Sequence, residues 1–189
     1  AARLDPATYE DVEADKGAFR TKALRGVDYV ASTVWVVGHD ATALKSVDDG
    51  GNWAAIELKH DAKSDVTGVW LESANTVLLT GGGGFIRKST DGGATWTFFM
   101  HSLMGETSDF HFYNGLVKGW ACSSKNRAII RTGDSGATWS FSTGTTSSQT
   151  WSQKQSLVGG SVRGSTLWIN GQNKSTVYCV LGARVYKSL

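Results

Sequence analysis

The chain has 189 residues and a formal net charge of +2, with 19 lysines and arginines set against 17 aspartates and glutamates. Because the charges are nearly balanced, we predict that the chain binds neither nucleic acid nor an anionic membrane surface. No stretch approaches the roughly 18 consecutive apolar residues of a membrane-spanning helix, so we predict no membrane span. The length allows one domain with a substantial core, and 23 glycines beside a single proline indicate many tight turns between short strands.

Residues 1–23 are polar and mixed in charge, which predicts an N-terminal arm or linker. A strand that closes a ring is the alternative for this segment. From residue 24 onwards, apolar and alternating segments recur in groups of four, with about 35 residues to a group. The predicted strands are 24–30, 33–38, 42–45 and 53–58, then 66–71, 76–80, 85–89 and 96–100, then 109–113, 116–122, 127–131 and 139–142.

A fourth group follows a Ser/Thr/Gln-rich segment, 143–153, that we predict to be a long exposed loop. Its predicted strands are 156–162, 166–170 and 177–181, and residues 183–188 then repeat the approach to a turn. We therefore assign residues 24–189 to three complete repeat units and a fourth that is truncated.

An eight-residue pattern, Ser/Thr-x-Asp-x-Gly-x-x-Trp, begins at residues 46, 89 and 132, so both intervals are 43 residues. A constant period of this length is typical of propellers, solenoids and other repeat architectures. The shared positions are Ser46, Asp48, Gly50 and Trp53, then Ser89, Asp91, Gly93 and Trp96, then Thr132, Asp134, Gly136 and Trp139.

Each copy of the pattern lies between two apolar or β-branched runs, which predicts a hairpin. The Asp can accept hydrogen bonds from backbone N–H groups just after it, and the Ser or Thr hydroxyl can do so more weakly. The Gly supplies a positive φ, and the Trp begins the outgoing strand with an indole N–H that can still reach a partner.

The pattern resembles the Asp-box, or bacterial neuraminidase repeat, of sialidases, sortilin-type receptors, endoglucanase propellers and the photosystem II stability/assembly factor family. This resemblance implies an all-β fold, a β-propeller or part of one, made of four-stranded antiparallel blades with Asp-box turns. Residues 24–27, the run Trp35-Val36-Val37-Gly38 and the turn after them look most like the assembly-factor type of blade. In those families the Asp-box is a folding device away from the ligand face, so a structural role is expected for Asp48, Asp91 and Asp134.

Three and a half blades leave a ring open, because a closed propeller has about 4–8 blades. The favoured interpretation is that the chain is part of a longer protein. A short array that closes a ring from two chains is the alternative.

Propellers usually bind ligands on the face opposite these turns. Connections 59–65, 101–108 and 143–153 border that face, together with the loops between the second and third strands. The candidate binding residues in those loops are His39, Asp40, Gly82, Gly83, Lys125, Asn126, Gln172 and Asn173.

We predict no catalytic residue, no metal site and no cofactor. The histidines at 39, 60, 101 and 111 lack ligand spacing, and four glycines at 81–84 lack the ending of a phosphate loop. Glycoside hydrolysis needs paired carboxylates, yet nothing singles out a pair among Asp40, Asp61, Asp65, Glu106 and Asp109. Cys122 and Cys179 fit either free thiols or a disulfide.

The leading hypothesis is a non-catalytic interaction or assembly scaffold that binds another protein through one face, outside the cytoplasm or in an organelle lumen. It follows from resemblance to the assembly-factor family. One alternative is a glycan-active module, either a sialidase-like or endoglucanase-like hydrolase or a lectin. Another is a structural repeat domain of a larger surface or filament protein.

Overall fold

The computed structural model describes residues 22–58, 64–100, 107, 109–113, 118–123, 128–141, 151–156, 165–169, 177–181 and 184–188. These residues form sixteen strands in four antiparallel four-stranded sheets. Sheet I contains β1 (Leu24–Val30), β2 (Thr33–Gly38), β3 (Ala43–Ser46) and β4 (Ala54–Ala55); sheet II contains β5 (Val66–Leu71), β6 (Val77–Gly81), β7 (Phe85–Ser89) and β8 (Thr97–Met100); sheet III contains β9 (Asp109–Tyr113), β10 (Lys118–Ser123), β11 (Ala128–Thr132) and β12 (Ser140–Phe141); sheet IV contains β13 (Trp151–Ser156), β14 (Ser165–Ile169), β15 (Val177–Leu181) and β16 (Arg184–Ser188).

The first three sheets are up-and-down meanders in which each strand pairs with the next one in the chain. β1 packs against β5, β5 against β9, and β9 against β14. The sheets therefore follow one another around a line of inner strands, which is the arrangement of propeller blades.

Two apolar clusters fill the spaces between sheets I and II and between sheets II and III, because the second strands of sheets I and II are apolar on both faces. Trp35 and Val37 of sheet I pack with Val66, Val77 and Leu79 of sheet II. A second cluster joins sheet II to sheet III and includes Leu78, Ile86, Phe110, Phe112 and Ile130. The blades are thus held together mainly by burial of aliphatic and aromatic side chains.

The fourth sheet differs from our expectation. Its strand order is β13-β16-β15-β14, so β13 takes the outer place that β4, β8 and β12 hold in their sheets. The predicted loop over 143–153 is therefore wrong at 151–153, which belong to a strand that pairs with β16. A polar Ser/Gln/Lys segment suits an outer strand, and its partner lies some thirty residues further along the chain. The strand predicted over 156–162 overlaps β13 only at Ser156, and residues 157–162 lie outside the described part.

Candidate functional site

The two ends of the sheets differ in chemistry. The octapeptide turns 46–53, 89–96 and 132–139 lie where the third strand of each sheet ends, and we call this the turn end. The third strand begins at the opposite end, beside the loop that enters it and the start of the next sheet, and we call this the loop end. This separation follows from antiparallel pairing of consecutive strands.

The first turn is closed by one hydroxyl and one carboxylate. The Ser46 hydroxyl donates to Asp48 Oδ1 at 2.8 Å and accepts from the backbone N–H groups of Asp48 and Gly50 at 3.3 and 2.8 Å. Asp48 Oδ1 also accepts from the Asn52 N–H at 2.8 Å, and Oδ2 accepts from the Asn52 side-chain amide at 2.6 Å. Both carboxylate oxygens of Asp48 are therefore engaged within the turn.

The same five hydrogen bonds recur in the other two turns, with Thr95 and Thr138 in place of Asn52. Hydrogen bonds from the side chain and then the backbone N–H of this seventh residue lower the pKa of each carboxyl from 3.8 to about 2. The three carboxyls concerned are those of Asp48, Asp91 and Asp134. Each is ionised at neutral pH and serves its own turn as a hydrogen-bond acceptor.

Of the three tryptophans in the turns, only one has the hydrogen-bond partner that we expected for its indole N–H. Trp139 Nε1 donates to the Gly136 carbonyl at 3.2 Å. The Nε1 atoms of Trp53 and Trp96 are buried without a hydrogen-bond partner. Trp96 packs edge-on against Trp35 of the preceding sheet at a centroid distance of 6.0 Å, so apolar contact between sheets determines its position.

Lysine side chains link neighbouring sheets at the turn end. Lys45 Nζ donates to the Gly92 carbonyl at 3.1 Å, and Lys88 Nζ donates to the Ser135 carbonyl at 2.7 Å. Each lysine immediately precedes its own turn, and each acceptor is the fourth residue of the next turn. The turn end is thus occupied by contacts that hold the blades in order.

The loop end between sheets I and II carries charges of both signs. Arg25 Nη2 donates to His39 Nε2 at 2.5 Å and lies 3.7 Å from Asp65 Oδ2. Because a guanidinium group only donates, this His39 nitrogen accepts, and the ring proton lies on Nδ1, which faces Asp65 Oδ2 at 3.4 Å. Lys22 Nζ lies 3.9 Å from Oδ2 of Asp40, whose side chain is 63% exposed.

Backbone hydrogen bonds hold this cluster in place. The His39 N–H donates to the Ala23 carbonyl at 2.9 Å, which ties the loop to the strand that carries Arg25. The Asp40 N–H donates to Asp65 Oδ1 at 3.2 Å, so the loop of sheet I is joined to the start of sheet II. Asp40 has a φ of 52°, a left-handed conformation that aspartate tolerates better than most residues. We call Lys22, Arg25, His39, Asp40 and Asp65 the loop-end cluster.

At the corresponding junction between sheets II and III, the described contacts are made by backbone groups and a threonine hydroxyl. A short 3-10 turn, Gly82–Gly84, connects β6 to β7, and the Gly82 N–H donates to the Asp65 carbonyl at 2.9 Å. Thr67 donates its hydroxyl to the carbonyl of buried Thr107 in the place that Arg25 holds in sheet I. Gly83 is exposed, so this loop offers backbone and little else to a ligand.

The other sequence candidates divide into two groups. Lys125, Asn126, Gln172 and Asn173 lie outside the described residues, as do Asp61, Glu106, His60 and His101. His111 packs edge-on against the Trp70 ring at 5.6 Å, and Cys122 is a buried free thiol. Within the described residues, no three His, Cys, Asp or Glu side chains are close enough together to hold a metal ion.

Two cations were missed as candidates. His39, Asp40 and Asp65 were expected near this end, but Lys22 and Arg25 were not, because the repeat gives their positions no shared residue. Thr67 takes the place of Arg25 in sheet II. Arg87 is buried, with its guanidinium carbon 5.2 Å from the Phe85 ring centre and 5.5 Å from that of Phe98. Its position between two rings is typical of a cation–π contact.

The described part of the chain contains no helix long and apolar enough to cross a bilayer. Repeated four-stranded antiparallel sheets around a line of inner strands define a β-propeller fold, and the predicted fold class is confirmed.

The chain is similar in structure to YCF48 bound to D1 peptide, with a TM-score of 0.58, 19% identity, and coverage of 85% of this chain and 50% of that one. It is also similar to YCF48 from Cyanidioschyzon merolae, with a TM-score of 0.53, 18% identity, and coverage of 85% and 53%. A chain of a nidogen/laminin complex matches with a TM-score of 0.55, 12% identity, and coverage of 86% and 62%. The chain thus spans about half to three-fifths of these proteins. No family model and no curated protein matches its sequence.

Proposed function

We propose that this chain is a non-catalytic propeller module that binds another protein through its loop end. The observation that carries the proposal is the loop-end cluster, which concentrates charges of both signs on a surface that the blade contacts leave accessible. At the turn end, the carboxylates of Asp48, Asp91 and Asp134 are engaged within their turns, so they offer less to a partner. The structural neighbour described as bound to a D1 peptide supports a peptide or protein ligand for a blade set of this kind.

The cluster has the chemistry of a polar recognition site. The Arg25 guanidinium has N–H donors in addition to the one that donates to His39, so it can bind a carboxylate through two parallel hydrogen bonds. Exposed Asp40 offers an acceptor for a basic or amide group a short distance away. Both groups sit on backbone that is tied across two sheets, so a partner would meet a pre-organised surface.

A peptide selection with matched variants tests this proposal. A random peptide library would be selected against the immobilised chain, and the Kd of the selected peptides measured for the wild type and for Arg25→Gln, Asp40→Asn and Asp49→Asn. We expect Arg25→Gln to weaken binding about tenfold, because it removes a charge-assisted contact. Asp40→Asn should weaken binding of peptides that carry a basic residue.

Asp49→Asn is the matched control, because Asp49 is exposed like Asp40 and has a φ of 55° against 52°, yet lies at the turn end. Binding that responds equally to the Asp40 and Asp49 substitutions would show that the loop end is not the binding surface. Hydrolysis of a fluorogenic glycoside, or selective binding on a glycan array, would favour the glycan-active alternative. Failure of both peptide and glycan selections would leave the structural repeat domain as the better description.

Three further parts of the proposal rest on the sequence analysis. We propose that the turns are Asp-boxes with a structural role, which the recurrence of the same five hydrogen bonds supports. We also propose that the protein lies outside the cytoplasm, which fractionation of the source cells with an antibody to this chain would test. Finally, the division into an arm at 1–23 and repeat units over 24–189 is supported by the start of β1 at Leu24.

A further inference from the structure

The surface of sheet I that points away from sheet II is apolar and open to solvent. Leu24, Val27 and Tyr29 on β1 are 55, 67 and 72% exposed. Val27 pairs with Val36 and Tyr29 with Val34 on β2, and a depression of about 360 Å³ lies beside Leu24, Val27 and Val36. We call Leu24, Val27, Tyr29, Val34 and Val36 the head face.

In sheet II the corresponding positions are buried or partly buried. Val69 pairs with Leu79, and Leu71 with Val77, at the register where Val27 pairs with Val36 and Tyr29 with Val34. Leu71 is 7% exposed and Leu79 is fully buried, because both pack against Trp35 and Val37 of sheet I. The head face therefore has the composition of a surface that a preceding blade covers. Apolar side chains grouped on an accessible surface are typical of an interaction site.

Each sheet also presents a cross-strand pair at one shared register position. The four pairs are Trp35 with Lys45, Leu78 with Lys88, Trp120 with Arg131, and Tyr178 with Lys187. In the first two sheets the aromatic or aliphatic member packs towards the next sheet, and the lysine donates to the carbonyl of the fourth residue of the next turn. The corresponding carbonyl in the first turn belongs to Asp49.

We infer that the head face binds the fourth sheet of a second copy of this chain, in which Tyr178 and Lys187 stand at this register position. Continuity with the internal interfaces supports this occupant, since the fourth sheet repeats the residue types that cover sheets II and III. Two copies contribute eight sheets, within the about 4–8 blades of closed propellers. The head-to-tail junction occurs twice in the dimer, and the two junctions are related by a two-fold axis.

The first measurement is the mass of the full chain in solution, by sedimentation over a range of concentrations. The wild type is expected to be a dimer. Val27→Arg at the head and Tyr178→Arg at the tail should each raise the dimer dissociation constant by about 30-fold or more, as central interface residues do. Lys187→Glu provides a second tail variant if Tyr178→Arg loses its β-sheet circular dichroism. Val47→Arg is the matched control, because Val47 is 64% exposed while its repeat counterpart Thr90 stays exposed between blades.

Mixing distinguishes this arrangement from a symmetric contact between two head faces. A Val27→Arg chain and a Tyr178→Arg chain can form one dimer with an intact junction, so the mixture should dimerise at concentrations where each variant alone is monomeric. A symmetric head-to-head contact would ignore the tail substitution, and mixing would restore nothing. A monomeric wild type, a dimer that tolerates Val27→Arg, or polymers that grow with concentration would each overturn the inference.

Discussion

Gly93 is the residue at which a single added methyl group should test the packing between blades. Its φ is 97°, and a Cβ atom there would lie 2.7 Å from Trp35 Cη2 and 3.3 Å from Ile56 Cγ2. Trp35 is fully buried and also packs against Trp96, so it has little room to withdraw. A left-handed alanine costs about 1–2 kcal/mol, and overpacking a dense interface costs about 1–3 kcal/mol. We therefore expect Gly93→Ala to lower the free energy of unfolding by about 2–5 kcal/mol.

Gly83→Ala separates the two costs, because Gly83 has a φ of 75° but no atom within 4 Å of an added Cβ. It should cost only the backbone part, about 1–2 kcal/mol. Urea unfolding followed by tryptophan fluorescence and circular dichroism gives both values, provided that the two signals change together. Equal losses for the two substitutions would refute the packing argument. The effect of Gly93→Ala should also shrink in a Trp35→Leu background, since the counterpart of Trp35 in sheet II is Leu78.

Three other expectations concern hydrogen bonds. The pKa of Asp91 is depressed to about 2, so its stabilising contribution is complete above about pH 4 and disappears as the pH falls through 2. Asp91→Asn should therefore lower the urea midpoint at pH 7 and make that midpoint depend less on pH in acid. A variant whose midpoint falls with pH in parallel with that of the wild type would contradict this. Lys88→Met should lower the free energy of unfolding by about 1–3 kcal/mol, because it leaves the Ser135 carbonyl without its donor. Lys22→Met removes only a long and exposed ion pair and should lower it by about 0–1 kcal/mol. Similar losses for the two variants would argue against the inter-blade role of Lys88. Asp28 Oδ2 accepts the Leu71 N–H across the first two blades at 2.7 Å, so Asp28→Ala should lower the free energy of unfolding by about 1–3 kcal/mol and Asp28→Asn, which keeps an acceptor oxygen, by less. Equal losses for the two neutral substitutions would show that the charge rather than this acceptor matters.

The fold was predictable from the sequence to the extent that it depends on local signals. The period of 43 residues fixed the phase of three blades, and the pattern in Ser46 to Trp53 contains its own hydrogen-bond donors and acceptors. β13 was not predictable, because its composition is that of a loop and its strand character depends on pairing with the distant β16.

The candidate site was predictable only in location. Since propellers usually bind ligands at the end opposite the turns, we predicted that His39 and Asp40 lie at that end, and the structure places both in the loop-end cluster. Arg25 could not be identified, since its contact with His39 joins residues 14 positions apart and its place in the next repeat is taken by a threonine. Lys45 and Lys88 were equally hidden, because their partners are backbone carbonyls, which carry no mark in a sequence.

The strand order of the fourth sheet determines when its strands can pair during synthesis on the ribosome. Each of the first three sheets pairs neighbouring strands only, so all of its strand pairs can form once its last strand has emerged. β13 is synthesised before β14 and β15 but pairs only with β16, so it must wait, unpaired, for the end of the segment to arrive. An unpaired strand is a target for proteases and for other nascent chains. The third-to-fourth blade boundary is therefore the place where an early quality-control factor would find this protein vulnerable during synthesis.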